Sequence, residues 1–207
     1  MKSLTIAEFE KEMSHALVLD VRNKTVFETG FIPKSLNIGV DGAFHQYLPK
    51  LIEKDRRVVL VCEQNIEKQS AELIAKQGFK NIAGWLNNGV ESWKQAQRPI
   101  DMHISIQADE FATDLYFLNE HESVIDVREY DLRKLGSIES SVGMPLTDLF
   151  ENYSEMDMQK AYYCHGADGY EAMIGASFLK SKGFNMVKSV DSTYEDILEK
   201  LKYHKKV

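Results

Sequence analysis

Across 207 residues the chain carries a net charge of −7, with 43% apolar and 28% charged residues. That composition suits a globular fold, no apolar run reaches the ~18 residues of a membrane span, and outside a short tail at 200–206 no basic stripe invites nucleic acid or an anionic membrane. Acidic residues at Glu8 and Glu10 come too early for a signal peptide, so a cytoplasmic address is expected.

In chain order, Thr5 followed by Glu8 forms a capping box and predicts a helix over 6–13. A buried strand is expected over 17–21, a short helix over 24–28 closed by Gly30, a brief extended run over 37–40 and an amphipathic helix over 43–53. A central strand follows over 57–61. Apolar residues at Ala71, Ile74 and Ala75 predict a helix over 67–77, with Gly78 as its C′ residue. A strand over 82–86 and a helix over 89–95 carrying Trp93 complete this half. Arg98 and Pro99 with Asp101 and His103 mark a linker. Beyond it the same alternation returns: helix 108–118, strand 123–127, helix 146–152, strand 161–163, helix 170–182, strand 186–190 and helix 194–202.

The alternation is a repeat. Asp20-Val21-Arg22 and Asp126-Val127-Arg128 stand at the same distance from Gly30 and Gly136, and each half later sets a cysteine (Cys62, Cys164) at the end of an apolar strand before a polar loop, a helix and a Gly-Phe pair. Two domains of roughly 100 residues follow, one at 1–99 and one at 104–207, because a copy of that size encloses its own core. Strands alternating with helices predict an α/β class in which each domain has a mostly parallel sheet flanked by helices, with any site at the carboxyl ends of the strands. Two cysteines are too few for a cysteine metal site, and the six histidines lack ligand spacing. No metal and no cofactor are expected.

These landmarks resemble the rhodanese family: Asp-Val-Arg at an early strand end, the segment at 30–38, the strand-loop-helix at Cys62, and Asn88-Gly89 leading to Trp93. The match covers nearly the whole chain in two copies. More narrowly, residues 39–44 and 162–170 resemble the paired rhodanese domains of persulfide dioxygenase fusions, here without the metallo-β-lactamase part. A separate metallo-β-lactamase-fold protein is therefore an implied partner. The resemblance implies a sulfurtransferase-like function in which a cysteine thiolate takes up a sulfane sulfur as a persulfide, held by loop N–H groups and a helix N-terminus. A sulfane-sulfur donor and a thiol acceptor, small molecule or protein cysteine, are the implied partners.

In the family pattern Cys62 is the candidate nucleophile, and Glu63, Gln64, Asn65, Ile66, Glu67 and Lys68 form its loop. Asn65 stands where the family places a glycine and Glu67 where it places an arginine. Two carboxylates beside the thiol are expected to raise its pKa and to repel thiosulfate. In the second copy, counting back from Gly183 sets Gly166 at the nucleophile station. Gly166, Ala167, Asp168, Gly169, Tyr170 and Glu171 then make a degenerate loop, with Cys164 a buried strand residue. Thiosulfate:cyanide activity is expected to be weak or absent. The alternative function is a catalytically inactive interaction or regulatory module.

Overall fold

The computed structural model describes residues 1–204; Lys205 and Lys206, at the end of the basic tail, lie outside the described residues. The chain divides into two units, Met1–Met102 and His103–Val207. The first contains β1 (Ser3–Leu4), α1 (Ile6–Met13), β2 (Leu17–Asp20), α2 (Lys24–Glu28), β3 (Leu36–Asn37), α3 (Phe44–Leu51), β4 (Val58–Val61), α4 (Glu67–Lys76), β5 (Ile82–Leu86) and α5 (Gly89–Gln95). The second contains β6 (Ile104–Ile106), α6 (Ala108–Tyr116), β7 (Glu122–Asp126), α7 (Tyr130–Lys134), β8 (Ser141–Gly143), α8 (Leu146–Asn152), a 3₁₀ turn (Tyr153–Glu155), β9 (Ala161–His165), α9 (Gly169–Ser181), β10 (Val187–Val190) and α10 (Tyr194–His204).

Each unit builds a five-stranded sheet, in the orders β1-β5-β4-β2-β3 and β6-β10-β9-β7-β8, and every strand pairing within the sheets is parallel. The order matters for function. After β2 the chain places β3 on one side, then crosses back to place β4 on the other, so the carboxyl ends of β2 and β4 flank a topological switch point where α/β folds form their crevices. In the second unit β7 and β9 flank the equivalent point.

Local chemistry explains the elements. The capping box forms as expected: Glu8 N–H donates to Thr5 Oγ1 at 3.3 Å, and the Glu8 carboxylate accepts from Thr5 N–H at 2.9 Å. All four residues of β4 are buried, as a central parallel strand covered on both faces requires. One apolar cluster packs Leu4, Phe9, Val18, Val59, Val61 and Trp93; another packs Ile106, Phe111, Val124, Tyr163, Val190 and Ile197. Trp93 sits edge-on to Phe9 at 5.8 Å, and its indole N–H donates to Pro99 O at 2.8 Å. It is a packing residue.

Some expectations need correction. The edge strands β1 and β6 escape the sequence pattern because two or three residues display no periodicity, and α7 and β8 escape it because neither contains a buried residue. The helix expected over 43–53 closes at Leu51; Ile52 has already returned to extended backbone. β9 runs two residues further than expected, so His165 belongs to the sheet. Among the described residues no helix is long and apolar enough to cross a membrane.

Candidate functional site

Strand register fixes equivalent stations in the two units. Asp20 pairs with Val61 across β2 and β4, while Asp126 pairs with His165 across β7 and β9. The residue one step further is Cys62 in the first unit and Gly166 in the second. Cys164 therefore matches Leu60, inside the strand, and it is fully buried.

Each crevice is framed by the same ion pair. Arg22 donates from Nη2 to Asp20 Oδ2 at 2.6 Å and from Nε to Oδ1 at 2.9 Å, and its Nη2 also reaches Gly30 O at 3.0 Å. Arg128 repeats this on Asp126 at 2.7 and 2.9 Å and on Gly136 O at 2.9 Å. Both aspartates are fully buried. A bidentate guanidinium that also engages a carbonyl satisfies a buried carboxylate, and here it pins the following loop to the strand end. The shared Asp-Val-Arg is thus structural in both units.

At the first station Cys62, at the end of the apolar strand and before the polar loop, is only 2% exposed. Burial, then the carboxylates of Asp20 and Glu67, push the thiol pKa above its ordinary range, while Ser70 and Arg22 pull the other way without cancelling the rise. Burial leads, where the sequence pointed to Glu63 and Glu67. Glu63 instead accepts a hydrogen bond from Asn23 N–H at 3.2 Å. Asn65 has φ +69°, a left-handed conformation that asparagine tolerates, so the loop makes its turn without the glycine. Gly89 closes the far wall: a Cβ there would meet Cys62 O at 2.8 Å, and its φ is +54°. Of the remaining loop residues, Gln64 and Lys68 are exposed and Ile66 is half-buried. No side chain caps the N-terminus of α4.

The second loop is filled. Asp168 caps α9, accepting from Tyr170 N–H and Glu171 N–H at 3.0 Å each. Glu171 is 4% exposed and folds back so that Oε2 accepts from Ala167 N–H at 2.7 Å. A Cβ on Gly166 would lie 2.8 Å from both Cβ and Oε2 of Glu171. The carboxylate thus occupies the space that a nucleophile's side chain would need. Gly169 opens α9, where a Cβ would collide with Asp191.

Around this loop charge is strongly organised. Arg133 adds a 2.7 Å bond to Asp126; burial works to raise the Asp126 carboxyl, and the hydrogen bonds and charge of Arg128 hold it below its ordinary value. Asp20 is instead pushed up, because burial outweighs the hydrogen bonds and charge of Arg22. The Arg128 guanidinium stacks on the Tyr194 ring at 3.3 Å, and His165 stacks on the same residue at 5.9 Å. Burial lowers the His165 pKa to about 4, so the imidazole is neutral. Sequence reasoning missed Asn23 and Asp41, which lie in other loops, Arg133 and Tyr194, which lie on other helices, and Ser70, which lies within α4 beyond the loop. Among the described residues no group of His, Cys, Asp and Glu is placed to hold a metal ion.

A family model described as Rhodanese-like domain matches residues 5–96 and again residues 109–200. Among solved structures, a thiosulfate sulfurtransferase from Pseudomonas aeruginosa shares 16% identity, with a TM-score of 0.42, over 96% of this chain and 42% of that chain. A rhodanese-related protein from Thermoplasma volcanium shares 24%, with a TM-score of 0.43, over 50% of this chain and 100% of that one. Reduced Bacillus anthracis CoADR-RHD shares 27%, with a TM-score of 0.42, over 49% and 17%. The chain spans less than half the length of the first of these. No curated protein matches the chain.

Proposed function

The chain belongs to the rhodanese-like family, with two such domains, and from that membership we propose that it carries sulfane sulfur on Cys62 alone, in the cytoplasm, while the second domain is non-catalytic. The observation that carries this reading is the asymmetry of equivalent stations: Cys62 stands at the end of the central β4 before a helix that no side chain caps, whereas Gly166 stands before a loop filled by Glu171.

The chemistry is a two-step exchange. The Cys62 thiol gives up its proton, the thiolate attacks the outer sulfur of a donor, the new S–S bond to Cys62 forms, and the donor's bond to that sulfur breaks. A thiol acceptor then takes the sulfur by the reverse exchange. The amides at the start of α4 favour an anionic persulfide over a neutral thiol. Burial holds the resting thiol protonated, so loading is slow and requires the loop to open. Thiosulfate:cyanide turnover is weak, because a carboxylate, Glu67, replaces a positive anchor for a dianionic donor. The resemblance of residues 39–44 and 162–170 to persulfide dioxygenase fusions supports a metallo-β-lactamase-fold protein as partner, to be tested by co-purification.

Incubation of the purified chain with a low-molecular-weight persulfide tests the central step. Intact mass should rise by one sulfur atom in the wild type and not in Cys62→Ser. No uptake in the wild type would leave the non-catalytic interaction module as the better reading, a reading that Gly166 and Glu171 already favour for the second domain, and uptake that survives in Cys62→Ser would move the chemistry to Cys164.

A further inference from the structure

Three carboxylates surround the approach to Cys62. Asp41 lies in the loop after β3, Glu63 directly follows Cys62 after β4, and Glu67 opens α4. Asn23, after β2, ties the first two together: its backbone N–H donates to Glu63 Oε1 at 3.2 Å and its side-chain amide donates to Asp41 Oδ2. The loops after β3 and β4 thus bring these carboxylates to one crevice, with Asn23 after the intervening β2 joining them. Lys24 and Lys68 offset part of this charge. Lys68 is exposed and one helical step from Glu67, so it faces a different direction. Beneath the carboxylates, Ser70 Oγ is buried and has no hydrogen-bond partner within normal distance, and it lies close enough to the thiol to favour ionisation. A hydroxyl so placed can donate to sulfur once loading moves the thiol.

We infer that the sulfur carrier exchanging with Cys62 bears positive charge beside its own sulfur: an aminothiol, or a cysteine flanked by Lys or Arg on a protein. This rests on the reading that Cys62 carries sulfur. An ammonium or guanidinium group near the carrier's sulfur meets Asp41, Glu63 and Glu67 as the S–S bond is approached, where an anionic carrier is repelled. In the exchange the Cys62 thiolate attacks the outer sulfur of R–S–SH, the inner S–S bond breaks, and R–S⁻ takes up the proton that Cys62 released. Atoms and electrons balance without an added oxidant.

The test uses the full chain and three persulfides of similar size, those of cysteamine (cationic), N-acetylcysteamine (neutral) and 3-mercaptopropionate (anionic), with loading of Cys62 followed by mass. At low salt the cationic donor should load about tenfold faster than the anionic one, with the neutral donor between, and high salt should bring them to within about twofold. The variant Asp41→Asn/Glu63→Gln/Glu67→Gln should lose the preference; the salt series decides if that variant does not fold. Persulfidated Lys-Cys-Lys and Glu-Cys-Glu peptides separate the two sources. A Lys-Cys-Lys peptide that outpaces cysteamine points to a protein carrier, and the reverse order points to a small aminothiol. Equal loading of all three small donors, or faster loading of the anionic one, overturns this inference and leaves the sulfur-carrier reading standing. No loading from any donor removes both.

Discussion

The two loops differ less in backbone position than in what their amides serve. Both follow a central parallel strand and both are braced by an Asp-Arg pair, yet α4 begins without a side-chain cap while the second loop is closed by Asp168 on two N–H groups and by Glu171 on a third. On the reading proposed above, the comparison teaches that a site can be lost in two independent ways: by replacing the nucleophile, and by giving the anion's place to a resident carboxylate. The second domain has both changes. The first retains the cysteine and an open helix start, and hides the thiol by burial.

The largest effect that can break this comparison is the removal of either cysteine. Cys62→Ser should abolish sulfur uptake altogether. Cys164→Ser should leave uptake unchanged and cost about 1–2 kcal/mol of stability in urea unfolding, since a hydroxyl is placed in a fully buried strand position. Loss of uptake in Cys164→Ser would assign the chemistry to the wrong domain.

Next comes a pH dependence specific to the second domain. His165 is held neutral, with its pKa lowered from 6.5 to about 4, first by burial. A depressed folded-state value means that the unfolded chain binds the proton more readily. The stability from this group is therefore complete above about pH 6.5, falls as pH drops toward 4, and levels off below that. The shift corresponds to about 3 kcal/mol across this window. His165→Leu should flatten the fall in unfolding free energy measured between pH 7 and pH 4, relative to wild type. An unchanged slope would place the titrating group elsewhere.

A smaller effect sharpens the plug itself. Gly166→Ala brings a Cβ within 2.8 Å of Glu171 and should cost about 2 kcal/mol by overpacking. The double variant Gly166→Ala/Glu171→Gly, which removes both clashing atoms, should lose less than the sum of the two single variants, a coupling expected of groups in direct contact. Additive losses would mean that Glu171 does not fill the station.

Much of this was legible in the sequence. The repeat, the parallel α/β architecture and the paired aspartates follow from patterns that local chemistry enforces, such as the capping box at Thr5 and Glu8. The fold's short edge strands were not legible, because β1 and β6 take their order from β5 and β10. Nor was the state of the site. Glu171 could be read as a member of a degenerate loop, but only its side-chain direction shows it bonded to Ala167 N–H. Likewise Glu63 looks from its position like the thiol's nearest antagonist, whereas Asp20, far away in sequence, contributes more to the raised thiol pKa.

The smallest expected effect separates burial from charge at Cys62. Glu67→Gln should lower the thiol pKa by less than about one unit, because the larger cause, burial, remains. The pH profile of alkylation would report it, and a drop of two units or more would make charge the leading cause.

The most direct test of the account is peptide-resolved mass spectrometry of the full chain after exposure to a persulfide donor, with both thiols read in the same digest. The account predicts added sulfur on the peptide containing Cys62 and none on the peptide containing Cys164. Sulfur on Cys164, or equal labelling of the two, would contradict it.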